Sequence, residues 1–186
     1  MVGIRLSRCY LPAILGYVIP LLLIGVAALT SGWFNMFNNA LSDLGHAVRS
    51  NVAVIFNLGL ALGSLFILLF AIAYSTRFNK LMSILLVLTA FFLNLIAIFD
   101  EVYGRLHFIV SVAFFISVGV LLIGYSITFK KYITPLLALA ISASSWYLYF
   151  NYRVPEGAAI PELVSIIVVL PFYADYVRRV CSLCKV

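Results

Sequence analysis

The sequence predicts an all-α fold, a polytopic bundle of six transmembrane helices, and three observations support this prediction. Hydrophobic residues make up 65% of the 186-residue chain and charged residues 10%, with a mean hydropathy of +1.17. Soluble domains average roughly 45–50% apolar and 25% charged residues, so a water-soluble fold could not bury this much apolar surface. Six apolar runs are each long enough to cross a hydrocarbon core of about 30 Å. We therefore expect residues 1–186 to form one integral membrane domain.

The six apolar runs follow one another along the chain with short polar segments between them. They cover about residues 10–30, 52–74, 80–99, 107–129, 132–150 and 159–177. The first run follows Arg5 and Arg8, as the apolar part of a signal peptide would. Its apolar stretch is longer than a typical signal-peptide core and lacks a clear A-x-A cleavage site. We therefore predict a retained first helix.

Small and polar residues define the remaining runs. The second run contains Gly59 and Gly63, a GxxxG spacing that favours close packing between helices. Polar residues separate the third, fourth and fifth runs: Asn79, Asp100 to Arg105, Lys130 with Lys131, and Asn151. At the start of the sixth run, Pro161 suits the first helical turn and Glu162 suits the positive end of the helix dipole.

Basic residues favour one side of the predicted bundle. Nine of the twelve Lys and Arg residues fall in the N-terminal tail, the second loop, the fourth loop and the C-terminal tail, whereas five of the six acids fall on the other side. By the positive-inside rule both termini are cytoplasmic, and we expect a multi-pass protein of the cell membrane. Because the basic residues flank apolar runs, the net charge of +6 indicates contacts with lipid headgroups, and no nucleic-acid partner is expected.

The cysteines give little chemical information. Cys181 and Cys184 form a single CxxC in the C-terminal tail, and Cys9 precedes the first apolar run. One CxxC without a second pair or a histidine partner is a weak zinc signal. We expect tail thiols that are free or carry a lipid, and we expect no metal or other cofactor.

The first loop on the acidic side, residues 31–51, contains the candidate binding residues Ser42 and Asp43. Either side chain could instead cap a short helix, with Gly45 providing a turn. Asn57 lies about five residues inside the second run, at the level of the same membrane leaflet. An amide at that depth needs a partner in the bundle, which a ligand or a neighbouring helix could supply.

The third loop and the sixth run supply the other candidates. Asp100, Glu101 and His107 fall within eight residues, and Ser111 follows His107 on the same helical face. Ionisable residues at membrane depth, such as Glu162, are functional candidates because they are costly unless paired or hydrated. The alternative is a structural ion pair, in which Glu162 neutralises one of three neighbours: Arg49, Arg105 or His107.

Four short motifs occur in order along the chain. They are Ser42-Asp43-Leu44-Gly45, Phe56-Asn57-Leu58-Gly59 with Gly63, Gly104-x-x-His107-Phe108, and Ala159-Ile160-Pro161-Glu162-Leu163. Their order resembles domain of unknown function family 998, a family of small prokaryotic, often archaeal, six-helix membrane proteins. That family is distantly similar to the Frag, DRAM and Sfk group, some of whose members are linked to lipid remodelling or phosphoinositide handling. The resemblance implies a six-helix fold and a lipid theme, and it supplies no reaction.

Three functions remain open. In the first, which we favour, the polar cluster binds a lipid headgroup, an ion, or a partner helix that belongs to another protein or a second copy of the chain. In the second, the protein is a membrane-embedded lipid hydrolase or transferase. His107 is then the base or a metal ligand, carboxylates of the same face assist it, and Ser42 or Ser111 is the nucleophile. The chain has only two histidines, which excludes a three-histidine zinc site. The third is a small transporter, although no charged residue lies near the bilayer midplane and no inverted repeat is evident.

Overall fold

The computed structural model describes residues 2–183, and the side chains of residues 8–183. Six helices in this part of the chain are long and apolar enough to cross a membrane. Their bounds are α1 Val2–Ser31, α2 Ala53–Phe78, α3 Lys80–Ile98, α4 Arg105–Phe129, α5 Ile133–Tyr152 and α6 Ala159–Ser182. The predicted all-helical, six-helix membrane fold is therefore confirmed.

The two ends of the bundle differ in charge. The acidic face consists of residues 32–52, 99–104 and 153–158 with the adjoining helix ends, and it carries five of the six acids. The basic face consists of residues 76–80 and 129–132 with the helix ends near the two termini. The alternation of charge between successive loops thus separates into two opposite ends of one bundle.

Several helices extend further than the apolar runs indicated. α1 begins at Val2 instead of residue 10, because nothing in the basic segment before the apolar run stops a helix. α2 passes residue 74 because a π turn over Ala71–Ser75 carries it to Phe78. It ends at Asn79, whose backbone is extended and whose side chain accepts a hydrogen bond from the Met82 N–H as the cap of α3.

The helices form a ring in chain order. Each helix packs on its neighbours in sequence, and α6 also packs on α1 and α4. A Cβ atom on Gly63 would lie 2.6 Å from Cγ of Pro20, and one on Gly59 would lie 2.8 Å from Cβ of Leu23. The GxxxG spacing therefore lets α1 and α2 approach more closely than side chains would allow, as the sequence predicted.

The fifth helix is the least embedded of the six. Its buried residues are Pro135 and Ala138, and both lie in its first two turns, near the basic face. Beyond Ala138 every side chain of α5 is half-buried or exposed. α5 therefore buries little of its surface in the bundle beyond its first two turns.

A disulfide between Cys9 and Cys181 joins α1 to α6 near the basic face. Their Cα atoms are 5.6 Å apart and both side chains are fully buried. The expectation of a free or lipid-modified thiol was therefore wrong for Cys181. Because α1 starts early, Cys9 lies within a helix instead of a tail and reaches the last turn of α6. Cys184 lies outside the described residues.

The loop of residues 32–52 lies across the acidic end of the bundle, and we call it the cap. A 3₁₀ turn over Leu41–Gly45 forms its centre. The Gly157 N–H donates to the Phe37 carbonyl at 2.7 Å, and the Ala159 N–H donates to the Asn39 carbonyl at 3.0 Å. A Cβ on Gly157 would meet the backbone of Asn39, so only glycine allows this approach. These contacts attach the cap to the start of α6.

Candidate functional site

A cavity of about 630 Å³ lies against the cap at the acidic face. The cap, the 3₁₀ turn at Glu101–Tyr103, the first turns of α4 and α6, and the last turns of α5 form its walls. Its polar floor contains Ser42, Glu101, His107, Ser111 and Glu162. The cavity therefore brings together four of the seven sequence-predicted candidates, together with Ser111.

Glu101 and Ser42 connect the third loop to the cap. The Ser42 hydroxyl donates to Oε1 of Glu101 at 2.8 Å. Burial raises the pKa of Glu101 to about 7, and the nearby Asp43 carboxylate adds to the rise, whereas the Ser42 hydroxyl and Arg49 oppose it. Near neutral pH this carboxylate is therefore only partly ionised.

Glu162 is almost fully buried, with 8% of its surface exposed, and lines the cavity from the first turn of α6. Its Oε2 accepts a hydrogen bond from the Leu41 N–H at 2.6 Å. Among the side chains of residues 8–183, every ion pair within 4.0 Å involves Asp175 at the basic face. The structure therefore does not form the ion pair that was the alternative role of Glu162, and the carboxylate holds the cap backbone instead.

His107 lies between a backbone carbonyl and a serine. Its Nδ1 is 2.8 Å from the Phe99 carbonyl oxygen, which can only accept, so Nδ1 carries the proton. In the neutral ring Nε2 is then an acceptor, and the Ser111 hydroxyl donates to it at 3.3 Å. Serines of membrane helices often bond to a carbonyl one turn back, as Ser117 does with Phe114. Ser111 instead points its hydroxyl at the imidazole.

The other three predicted site residues support the cap and do not line the cavity. Asp43 accepts from the Ala40 N–H at 2.9 Å, which partly fulfils the capping role considered for it. Asp100 accepts from the Ala47 N–H at 3.2 Å and caps its own turn. Asn57 donates from its amide to the Gly45 carbonyl at 2.8 Å. The partner of the Asn57 amide is therefore the cap backbone, where the sequence indicated a ligand or a neighbouring helix.

The cavity also has an aromatic wall that was not predicted from the sequence. Trp146, Tyr149 and Phe150 of α5 and Phe115 of α4 line this side of the cavity. The Trp146 ring stacks on Phe150 with centroids 5.5 Å apart, and its Nε1–H donates to Ser165 Oγ of α6 at 2.9 Å. The available signal was the spacing of positions 146, 149 and 150, which places the three rings on one helical face.

Metal ligands do not converge at this site. Within the described residues no group of three His, Cys, Asp or Glu side chains is arranged to hold a metal ion. The chemistry available to the cavity comes from the carboxylates of Glu101 and Glu162, the imidazoles of His46 and His107, the Arg49 guanidinium, hydroxyl groups and aromatic rings.

Comparison with known proteins gives the family of the chain. No curated protein and no solved structure matches it. The family model described as protein of unknown function (DUF998) matches residues 14–174, which extend from the first helix to the sixth and include the whole cavity. Because this match covers most of the sequence, the protein, an integral membrane protein by its six apolar helices, belongs to the DUF998 family.

Proposed function

We propose that this protein binds a membrane lipid, holding the headgroup in the cavity at the acidic face while the hydrocarbon chains remain in the bilayer beside α4 and α5. The observation that carries the proposal is the form of the cavity, which combines a polar floor, an aromatic wall and an apolar rim. Its volume of about 630 Å³ lies within the range of roughly 300–1,000 Å³ typical of ligand pockets.

The rim of the cavity provides access from the lipid. Phe108 is 57% exposed, Val112 38% and Phe150 56%, although all three line the cavity. At this depth in a transmembrane bundle such side chains contact acyl chains. Because these exposed side chains of α4 and α5 also line the cavity, a lipid could enter sideways between the ends of the two helices.

The interior below the cavity favours holding a ligand over conducting one. A second cavity of about 80 Å³ lies deeper in the bundle and is lined mainly by apolar side chains, including Leu60, Leu86 and Phe114. Moving an ion through such a region would require the loss of its hydration without replacement ligands. Lipid binding therefore accounts for the structure better than transport.

The experiment is native mass spectrometry of the protein purified in a mild detergent. Wild-type protein should retain lipid. Tyr149→Leu, which alters the aromatic wall, should reduce the retained fraction. Tyr147→Leu is the matched control, because Tyr147 lies on the same helix, is 57% exposed and does not line the cavity. Absence of retained lipid in the wild type, or equal loss in both variants, would contradict the proposal.

The hydrogen bond between Ser111 and His107 favours a second candidate, an acyl-transferring lipid enzyme. Ser111 Oγ would attack an ester carbonyl carbon of the bound lipid while its proton moves to Nε2 of His107. That proton would then pass to the departing alkoxide, and water would release the acyl group with His107 again acting as base. A fluorophosphonate probe tests this role. Labelling that is lost in Ser111→Ala and kept in Ser117→Ala would establish it, and an unlabelled wild type would exclude it.

For orientation, we propose that the acidic face lies on the non-cytoplasmic side of the cell membrane. The support is the distribution of nine basic residues against three. In a Cys184→Ser background, an impermeant thiol reagent added to intact cells should label Val48→Cys, which is 79% exposed at the acidic face, and spare Tyr132→Cys at the basic face. The opposite labelling pattern would reverse the assignment.

A further inference from the structure

The carboxylates that line the cavity lack cationic partners. Glu101 and Glu162 both face it, and within residues 8–183 neither lies within 4.0 Å of a basic side chain. Glu162 is nine-tenths buried, and its Oε1 accepts no hydrogen bond from the described residues. The second oxygen of Glu162 is therefore available to a ligand that enters the cavity.

The histidines near the floor bond to partners other than the two glutamates. His107 uses Nδ1–H on a carbonyl and Nε2 on a serine hydroxyl. His46 lines the cavity, and its Nδ1 accepts from the backbone N–H groups of Val48 and Arg49 at 3.3 Å. The remaining cation is Arg49, an exposed side chain on the cap.

The aromatic wall is the complementary half of a cation site. Trp146, Tyr149 and Phe115 line the cavity together with the two carboxylates. Aromatic faces attract ammonium groups, and they accept methylated ammonium groups that cannot donate hydrogen bonds. A cavity bounded by aromatic rings and unpaired carboxylates thus fits an organic ammonium better than an anion or a sugar hydroxyl.

We propose that the headgroup bound in this cavity carries an ammonium group, which lies between the carboxylates of Glu101 and Glu162 and the rings of α5. This inference rests on the lipid-binding function proposed above. Arg49, on the cap side of the same cavity, can contact a phosphate that links the ammonium group to the rest of the lipid. The ligand class is therefore a lipid with a phosphoethanolamine-like or phosphocholine-like headgroup.

Ammonium binding should depend on pH. The charged and titratable groups around Glu101 are Asp43, Arg49 and His46 of the cap, His107 of α4 and Glu162 of α6. Burial and Asp43 raise the pKa of Glu101 to about 7, so the acid must lose a proton to pair with an ammonium group. Affinity should therefore increase with rising pH through about 7, by up to about tenfold per unit for one released proton.

Brominated lipids provide the measurement. The chain has two tryptophans, Trp33 and Trp146, so Trp33→Phe leaves Trp146 in the cavity wall as the sole fluorescent reporter of its type. This variant is reconstituted in vesicles that contain lipids with identical dibrominated chains and different headgroups. Phosphatidylcholine and phosphatidylethanolamine should quench Trp146 with an apparent affinity about tenfold above that of phosphatidylglycerol or diacylglycerol, a difference of about 1.4 kcal/mol. Equal quenching by all four lipids would overturn the inference.

Carboxylate variants in the Trp33→Phe background test which residues cause the preference for ammonium lipids. Glu101→Gln and Glu162→Gln should each remove most of the preference for ammonium lipids, whereas Glu156→Gln should keep it because Glu156 is exposed and does not line the cavity. A melting curve for each variant checks folding. If the preference survives in both folded cavity variants, the carboxylates do not bind the headgroup and the inference fails.

Two further experiments distinguish a failure of the ammonium inference from a failure of the proposed lipid-binding function. Native mass spectrometry that finds retained lipid without headgroup preference overturns the ammonium inference and leaves the lipid-binding function standing. Absence of any retained lipid overturns that function. Free choline and ethanolamine at millimolar concentration test the unattached headgroup. If they raise the melting temperature of wild-type protein while the corresponding lipids do not bind, the site takes a soluble amine and the assignment to a lipid is wrong.

Discussion

Replacing Glu162 by glutamine distinguishes a carboxylate that binds a ligand from one that forms a structural ion pair. Glu162 accepts a single hydrogen bond, from the Leu41 N–H at 2.6 Å, and no basic side chain of residues 8–183 lies within 4.0 Å of it. Glutamine keeps an acceptor oxygen at the same place and has nearly the same volume, so the hydrogen bond from the Leu41 N–H is retained at a cost of at most roughly 1 kcal/mol. The expected net change in the free energy of unfolding is within about 1 kcal/mol of zero.

Glu162→Ala gives the contrasting case. It removes the acceptor and leaves the N–H of the buried residue Leu41 without a partner, which costs about 1–3 kcal/mol beyond the lost packing. Thermal unfolding in detergent measures both variants, and for a chain of this size 1 kcal/mol corresponds to about 2–4 °C. Glu162→Gln should therefore melt near the wild type and Glu162→Ala several degrees lower. If the two variants melt equally low, Glu162 neutralises a cation after all and the reasoning is refuted.

Three other changes test the cap, the acidic cluster and the disulfide by melting temperature. Because the pKa of Glu101 is raised to about 7, the folded protein binds its proton more tightly than the unfolded chain, and ligand-free stability should fall as pH rises from about 4.5 to 7. Glu101→Gln should flatten this pH dependence. An unchanged slope would show that another group causes the dependence. Gly157→Ala should cost about 1–3 kcal/mol because its Cβ would meet the cap backbone, whereas Gly25→Ala has open space and should cost nothing; equal effects would contradict the packing argument. Reducing the Cys9–Cys181 disulfide should cost about 2–4 kcal/mol, and Cys9→Ser should make stability insensitive to reductant.

Helix number and order could be predicted because the hydrocarbon core restricts the length and composition of each membrane-spanning segment. A crossing needs about 20 apolar residues, and the polar segments around Asn79, Lys130 and Asn151 end such runs clearly. The helix ends were less predictable because hydropathy follows the hydrocarbon core and not the helix. α1 and α6 continue into the headgroup region, where basic side chains are compatible with helical structure.

The candidate site was predicted in part because alternate loops must meet at one membrane face. That rule brought Ser42, Glu101, His107 and Glu162 to one cavity. It could not show that Asn57 bonds to the cap backbone, since an amide at that depth has many available partners.

The aromatic wall of the cavity was missed for a related reason. Trp146 and Tyr149 resemble the aromatic residues that any helix places at a membrane interface. Their role depends on how α5 packs beside α4 and α6, which is a matter of tertiary structure.

The disulfide makes the polypeptide a covalent ring around its own membrane core. Cys9 and Cys181 are separated by 172 residues in sequence, and their bond links the first helix of the bundle to the sixth. A protease that cuts one loop would leave a single covalently joined molecule, detectable as one band without reductant and two with it. The ring can close only after α6 has been inserted. Once closed, the α1–α6 seam cannot part at the basic face, so any opening between these two helices is confined to the end near the acidic face.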